Sequence, residues 1–157
     1  MPQQIPCLWF DTQGEQAAAL YTSVFPNSKV TKVTSYPPDT PGPEGAAMTV
    51  EFELDGHPYV ALNGGPEFTF SEAVSMQIMC QDQAEVDHYW DALADGGEEG
   101  PCGWLKDRFG FSWQVVPVRL TELLTDSDAG RANRAMQAML QMKRIDVAEL
   151  ERAADAT

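Results

Sequence analysis

Val74-Ser75-Met76-Gln77-Ile78-Met79-Cys80, followed by Gln81-Asp82-Gln83, is the stretch on which the fold turns. The apolar run predicts a strand, and Asp82-Gln83 supply a helix start. Val86, Trp90 and Leu93 continue as the apolar stripe of a helix that Gly96-Gly97 stops. A further strand is expected near 102–105, a turn at 107–110 and a last strand over 111–117. The same order stands earlier in the chain. Residues 5–10 read as a short strand, and Ala17, Leu20, Tyr21 and Val24 as one face of a helix over 15–25. Residues 29–36 alternate as a strand, the proline-rich stretch 37–45 is a loop, and 48–54 and 58–62 flank Asp55-Gly56 as a hairpin. Strand, helix and about three strands, read twice from starts near residues 5 and 74, predict an α+β fold. Its paired βαβββ modules, about 5–66 and 74–118, make up a domain over 1–120.

Beyond Pro117 the pattern is helical. Leu120-Thr121 to Leu124 make a short turn of helix, and Asp126-Ser127-Asp128 cap a helix with Ala132, Met136, Met139 and Leu140 as its stripe. Asp146 caps a second helix carrying Val147, Leu150 and Ala154. This extension, 121–157, packs across its own sheet or forms a subunit contact; plain core packing is the favoured expectation.

Composition narrows the function. Of 157 residues 43% are hydrophobic and 10% aromatic, enough for a substantial core, which excludes wholesale disorder. Twenty-four acidic against ten basic residues give a formal charge of −14, so nucleic acid and anionic membrane are excluded as partners. Cys7, Cys80 and Cys102 are too few and scattered for a disulfide framework. The start shows no secretory leader and no apolar run approaches a membrane span, so a cytoplasmic protein is expected.

No Gly-x-Gly-x-x-Gly follows a strand, and P-loop, His-Glu-x-x-His and Gly-x-Ser-x-Gly motifs are missing. His57, in the hairpin, and His88, beside Asp87, read as surface residues, leaving little material for a zinc site or a triad. Asp82, Glu85, Asp87, Asp91, Asp95, Glu98 and Glu99 read as a solvated helix face rather than a site. Cys80 shares a strand face with Val74, Met76 and Ile78 and reads as packing, whereas Cys7 lies opposite Leu8 and Phe10. Ile5, Cys7 and Trp9 form one face of the first strand; Ala61 and Asn63 of the hairpin return; Ser75, Gln77 and Met79 of the fifth strand; Ser112, Gln114 and Val116 of the last. If the sheet curls, these faces converge on a cup with amides and hydroxyls but no fixed charge, suited to a neutral organic ligand; Trp9 and Trp104 strengthen that expectation. The alternative is the solvated side of an ordinary sheet.

Several stretches also match one family. Leu8-Trp9-Phe10, Tyr21-Thr22-Ser23-Val24-Phe25-Pro26-Asn27-Ser28, Ala61-Leu62-Asn63-Gly64-Gly65-Pro66, Cys102-Gly103-Trp104-Leu105-Lys106-Asp107-Arg108-Phe109-Gly110 and Ser112-Trp113-Gln114-Val115-Val116-Pro117 carry the likeness. Together they resemble the PhnB-like branch of the vicinal oxygen chelate, or glyoxalase/bleomycin-resistance, superfamily, whose members are often labelled 3-demethylubiquinone-9 3-methyltransferase-like. The resemblance implies a glyoxalase-like cupped mixed sheet of paired modules, and a homodimer. In metal-using relatives, side chains inside the cup hold a divalent ion; the matching positions here are Ile5 or Cys7, Ser75, and Gln114 in Asp107-x-x-Gly110-x-x-x-Gln114. Neutral groups there do not balance a divalent cation as carboxylates do, so no metal and no cofactor are expected. The expected ligand-binding set is Cys7, Trp9, Asn63, Ser75, Gln77, Trp104 and Gln114, with Cys7 and Asp107 the weak candidates for acid–base work. A metal-independent binding pocket, an enzyme (lyase, isomerase or methyl-transferring) and a structural dimer with a vestigial pocket are the competing readings.

Overall fold

A computed structural model describes residues 1–157. The chain divides into two compact units, Met1–Phe70 and Ser71–Thr157. The first contains β1 (Cys7–Phe10), α1 (Gly14–Val24), β2 (Lys29–Ser35), β3 (Ala47–Leu54) and β4 (His57–Asn63). Its sheet order is β1-β4-β3-β2, with β1 parallel to β4 and the other neighbours antiparallel. Ala17, Ala18, Tyr21 and Val24 form the buried stripe of α1, and the two alanines let the helix lie close to the sheet. Tyr21 packs on Phe52, which stacks on Tyr59. Asp55 (φ 47°) and Gly56 (φ 79°) close the β3–β4 hairpin with two residues in the left-handed region, which is why this dipeptide signals a hairpin.

The second unit repeats the order with β5 (Ser75–Cys80), α2 (Gln83–Ala94), β6 (Glu98–Glu99), β7 (Trp104–Lys106) and β8 (Ser112–Pro117), arranged β5-β8-β7-β6 with β5 parallel to β8. The chain therefore holds two βαβββ modules, each a four-stranded mixed sheet with its own helix. Asp82 caps α2 by accepting from the Glu85 amide at 2.9 Å. Val86, Trp90 and Leu93 are its buried stripe, each stabilising the module by about 2 kcal/mol through apolar burial.

Three details depart from the sequence reading. Glu98 and Glu99 do not extend the acidic helix face. Gly96, at φ 77°, and Gly97 turn the chain, and the two glutamates form the edge strand β6, where Glu99 accepts from the Trp90 indole at 2.8 Å. Cys102 lies not in a strand but in a turn with Gly103, the pair sitting at φ 56° and 83°. Val74 and Ile5 fall outside their strands and are exposed.

The extension forms α3 (Val118–Leu124), α4 (Ala129–Met139) and α5 (Val147–Asp155), all within the second unit. Asp128 and Asp146 cap α4 and α5 through backbone amides. Leu120, Leu123, Ala135, Ile145, Leu150 and Ala154 make a buried cluster against which Val116 of β8 packs. The stripe of α4 is shifted from the expected one: Ala135 is its buried residue, whereas Met136 and Leu140 are exposed. The segment before α5 is fastened to the module. Gln83 donates to the Ile145 carbonyl and accepts from the Val147 amide, while the amides of Cys102 and Gly103 donate to the carbonyls of Met142 and Lys143. Arg144 bonds Asp87 and Asp91, so these two α2 carboxylates are engaged rather than simply solvated. No helix is long and apolar enough to cross a membrane.

Candidate functional site

Register decides which side chains share a face. In the first module Cys7 pairs with Val60, Trp9 with Leu62 and Phe10 with Asn63. Asn63 therefore stands with buried Leu8, Phe10 and Ala61, on the opposite face from Cys7 and Trp9 where the sequence reading grouped it. Its amide is already engaged: Oδ1 accepts from the Gly14 amide at 2.7 Å, at the start of α1, and Nδ2 donates to the Ala47 carbonyl at 3.0 Å. Gln13 gives α1 no side-chain cap, so Asn63 satisfies an end of the helix that its own sequence leaves open. Asn63 also borders a hollow of about 370 Å³ beside Asp11, Glu15, Tyr36 and Pro43.

Trp9 is half-buried; its indole donates to the Gly65 carbonyl at 2.9 Å and its ring meets Phe68 edge-on at 4.9 Å. The ring lies over Gly64, where any side chain would collide with it. Cys7 is exposed, yet partial burial pushes its thiol above the ordinary value, which lowers the thiolate fraction a nucleophile needs. Cys80 is buried packing, as expected, with its thiol pushed up to about 12 by burial and then by Glu85 and Asp82.

The second module brings four of the expected residues together. Ser75 pairs with Ser112, Gln77 with Gln114, and Trp104 with Gln114 from the other side. Gln77 Nε2 donates to Gln114 Oε1 at 3.3 Å, and Gln114 Nε2 donates to Ser75 Oγ at 2.8 Å, a hydrogen-bonded row across β5 and β8. Next to it lies a cavity of about 440 Å³ bordered by Trp104, Pro101, Ser112, Lys106, Glu72 and Glu98.

This lining overturns the expectation of an uncharged wall. Lys106 pairs with Ser112 in β8 and with Glu98 in β6, so all three belong to one face, and Lys106 Nζ contacts Glu72 Oε1 at 2.7 Å. The pair holds the Glu72 carboxyl below and the Lys106 ammonium above their ordinary values, chiefly through the shared hydrogen bond. Sequence reasoning missed Lys106 because the expected strand stops at Leu105, one residue short of it, and Glu98 because it was counted with the helix; the alternation of β7 against β8 carried the signal. Ser112 Oγ is buried without a hydrogen-bond partner, the one buried side-chain polar atom so placed.

Asp107 is buried beneath the turn that follows β7. Its Oδ1 accepts from the amides of Phe109 and Phe111 at 2.9 and 3.1 Å, and Oδ2 accepts from the Trp113 indole at 2.9 Å. A carboxylate with these duties fixes the turn and is not held ready for proton transfer, which corrects its placement near the cup. A divalent metal does not suit the residues present. No three His, Cys, Asp or Glu side chains gather as ligands, and Ser75 and Gln114 offer neutral oxygens already hydrogen-bonded to each other's row.

The family described as 3-demethylubiquinone-9 3-methyltransferase matches residues 2–116 of the chain, a span that ends before α3. Among solved structures, the PhnB protein of Bacillus cereus is 28% identical with a TM-score of 0.66, covering 74% of this chain and 99% of that one. A Pseudomonas aeruginosa protein is 20% identical at TM-score 0.62, covering 74% and 98%. The fosfomycin resistance protein FosX of Listeria monocytogenes shares the fold at 16% identity and TM-score 0.51, covering 73% and 91%. No curated protein matches the chain.

Proposed function

The chain belongs to the 3-demethylubiquinone-9 3-methyltransferase family, the PhnB-like branch of the vicinal oxygen chelate superfamily, and from that premise we propose that its second module binds a small organic molecule without the help of a metal ion. The observation that carries the reading is the cavity beside the Ser75–Gln114 row, with an aromatic wall at Trp104 and an orphaned hydroxyl at Ser112. Trp104 gives an apolar platform, Ser112 a buried hydroxyl left without a partner, and the amides of Gln114 and Gln77 stand in the row beside them. Cys7 and Trp9 belong to the first module and are not among the residues that border this cavity. Asn63 borders a separate hollow of the first module, its amide serving the start of α1.

The superfamily's metal chemistry needs charged ligands at strand positions where this chain has neutral Ser75 and Gln114, and the methyl transfer in the family's name needs a donor for which the chain offers no glycine-rich cradle. The test is thermal melting of the full chain with S-adenosylmethionine and with a panel of small aromatic alcohols, amines and acids. A compound that raises the melting temperature of wild type but not of Trp104→Ala or Gln114→Ala supports the reading. Stabilisation by stoichiometric Mn(II) or Zn(II), lost in Ser75→Ala, overturns it.

A further inference from the structure

The cavity's charges point to the class of its ligand, an inference that rests on the binding reading above. Lys106 and Glu72 neutralise each other at 2.7 Å. Glu98, opposite Lys106 on the β6–β7 rung, is a carboxylate of the lining that shares the field of Lys106 but makes no direct contact with it, Lys106 being bonded to Glu72. Glu99, also at the border, is occupied by the Trp90 indole. On the face that carries Lys106, two carboxylates against one ammonium leave the hollow electronegative, in a chain that already carries −14.

We propose that this cavity takes a small organic cation, a protonated amine whose ammonium sits by Glu98, whose body lies on Trp104, and whose further polar group meets Ser112 Oγ. An anion entering here meets surplus negative charge, and Lys106 is not free to receive it without breaking its bond to Glu72. A neutral molecule covers Glu98 and gives its carboxylate nothing in return for lost water. An ammonium replaces that water with an opposite charge, while the body of the molecule stacks on the face of the Trp104 indole. Ser112, 1% exposed and unpartnered, is independent of these charges: it marks a polar contact the protein itself leaves open.

Three probes with one ring separate charge from shape: benzylamine, benzyl alcohol and benzoate. Each is titrated at low salt into the full-length, 15N-labelled chain while the Trp104 indole N–H resonance, assigned by its loss in Trp104→Phe, is followed. Benzylamine is expected to bind with a dissociation constant of the order of millimolar, as befits a fragment. It should bind about fivefold more tightly than benzyl alcohol, the factor an exposed charge pair supplies, with benzoate weakest. Glu98→Gln, at an exposed position where folding is not at risk, should erase benzylamine's advantage. Equal binding of all three, or benzylamine affinity unaltered in Glu98→Gln, overturns the cationic ligand and leaves the organic-ligand reading standing. If no probe moves the Trp104 indole, both fall.

Discussion

The two modules share strand order and helix placement but differ on the sheet face turned away from the buried helix-side residues. In the first, the rungs of the parallel pair carry Cys7 with Val60 and Trp9 with Leu62; in the second, they carry Ser75 with Ser112 and Gln77 with Gln114. One backbone plan thus supports an apolar face in one copy and a hydrogen-bonded row in the other. The buried core residues set the fold, and the opposite face is free to vary. Function is to be sought where the second copy departs from the first.

Each module also has one buried polar organiser, and the sharpest way to break the comparison is to remove it. Asp107→Ala should destabilise the protein by about 3 kcal/mol, because two buried donors and one half-buried donor lose their acceptor at once. Urea unfolding measures it, and Asp107→Asn should recover part of the loss. An Asp107→Ala protein of unchanged stability would return that carboxylate to the acid–base candidates. Asn63→Ala should cost about 2 kcal/mol, since it strands the Gly14 amide and the Ala47 carbonyl.

The paired tryptophans come next. Trp9→Ala removes an indole bonded to Gly65 and packed on Phe68, and should cost about 2 kcal/mol. Trp104→Ala should cost less than that while abolishing ligand-dependent stabilisation. The reverse ranking would place the binding face on the first module. The smallest expected effect is that of the Lys106–Glu72 pair. Glu72 has its carboxyl held low, so its contribution is present above the ordinary glutamate value of 4.5 and lost as pH falls through the lowered one. Lys106 has its ammonium held high, so its contribution is present below 10.5 and lost as pH rises through the raised value. The stability difference between wild type and Lys106→Met should therefore be small, flat across neutral pH, and absent at both extremes.

The fold was legible because its signals are local. Alternation in Leu8 to Phe10, the Asp55-Gly56 turn, the Asp82 cap and the Gly96-Gly97 stop each act within a few residues, and the repeat of their order identifies the modules. The α4 stripe was misjudged because a helix between two neighbours buries the residue they jointly cover, here Ala135, not the largest apolar ones. The site was legible only in part. Ser75, Gln77, Trp104 and Gln114 converge because β8 lies between β5 and β7, and alternation predicts their common face. Parity within a single strand does not reveal how strands pair, so Asn63 was set on the wrong side of the sheet. Glu98 and Lys106 become neighbours only through a two-residue edge strand, too short to leave a periodic trace.

Residues 142–143 bear on the second module's cavity from a distance. Their carbonyls receive the amides of Cys102 and Gly103, in the turn that joins the cavity rim at Pro101 to the indole wall at Trp104. The C-terminal extension, which lies outside the family's matched span, thereby acts as a splint for that hollow. A protease that cuts near Gln141 and releases the C-terminal remainder would unfasten the turn, and the cavity wall would slacken although every residue lining it was still in place.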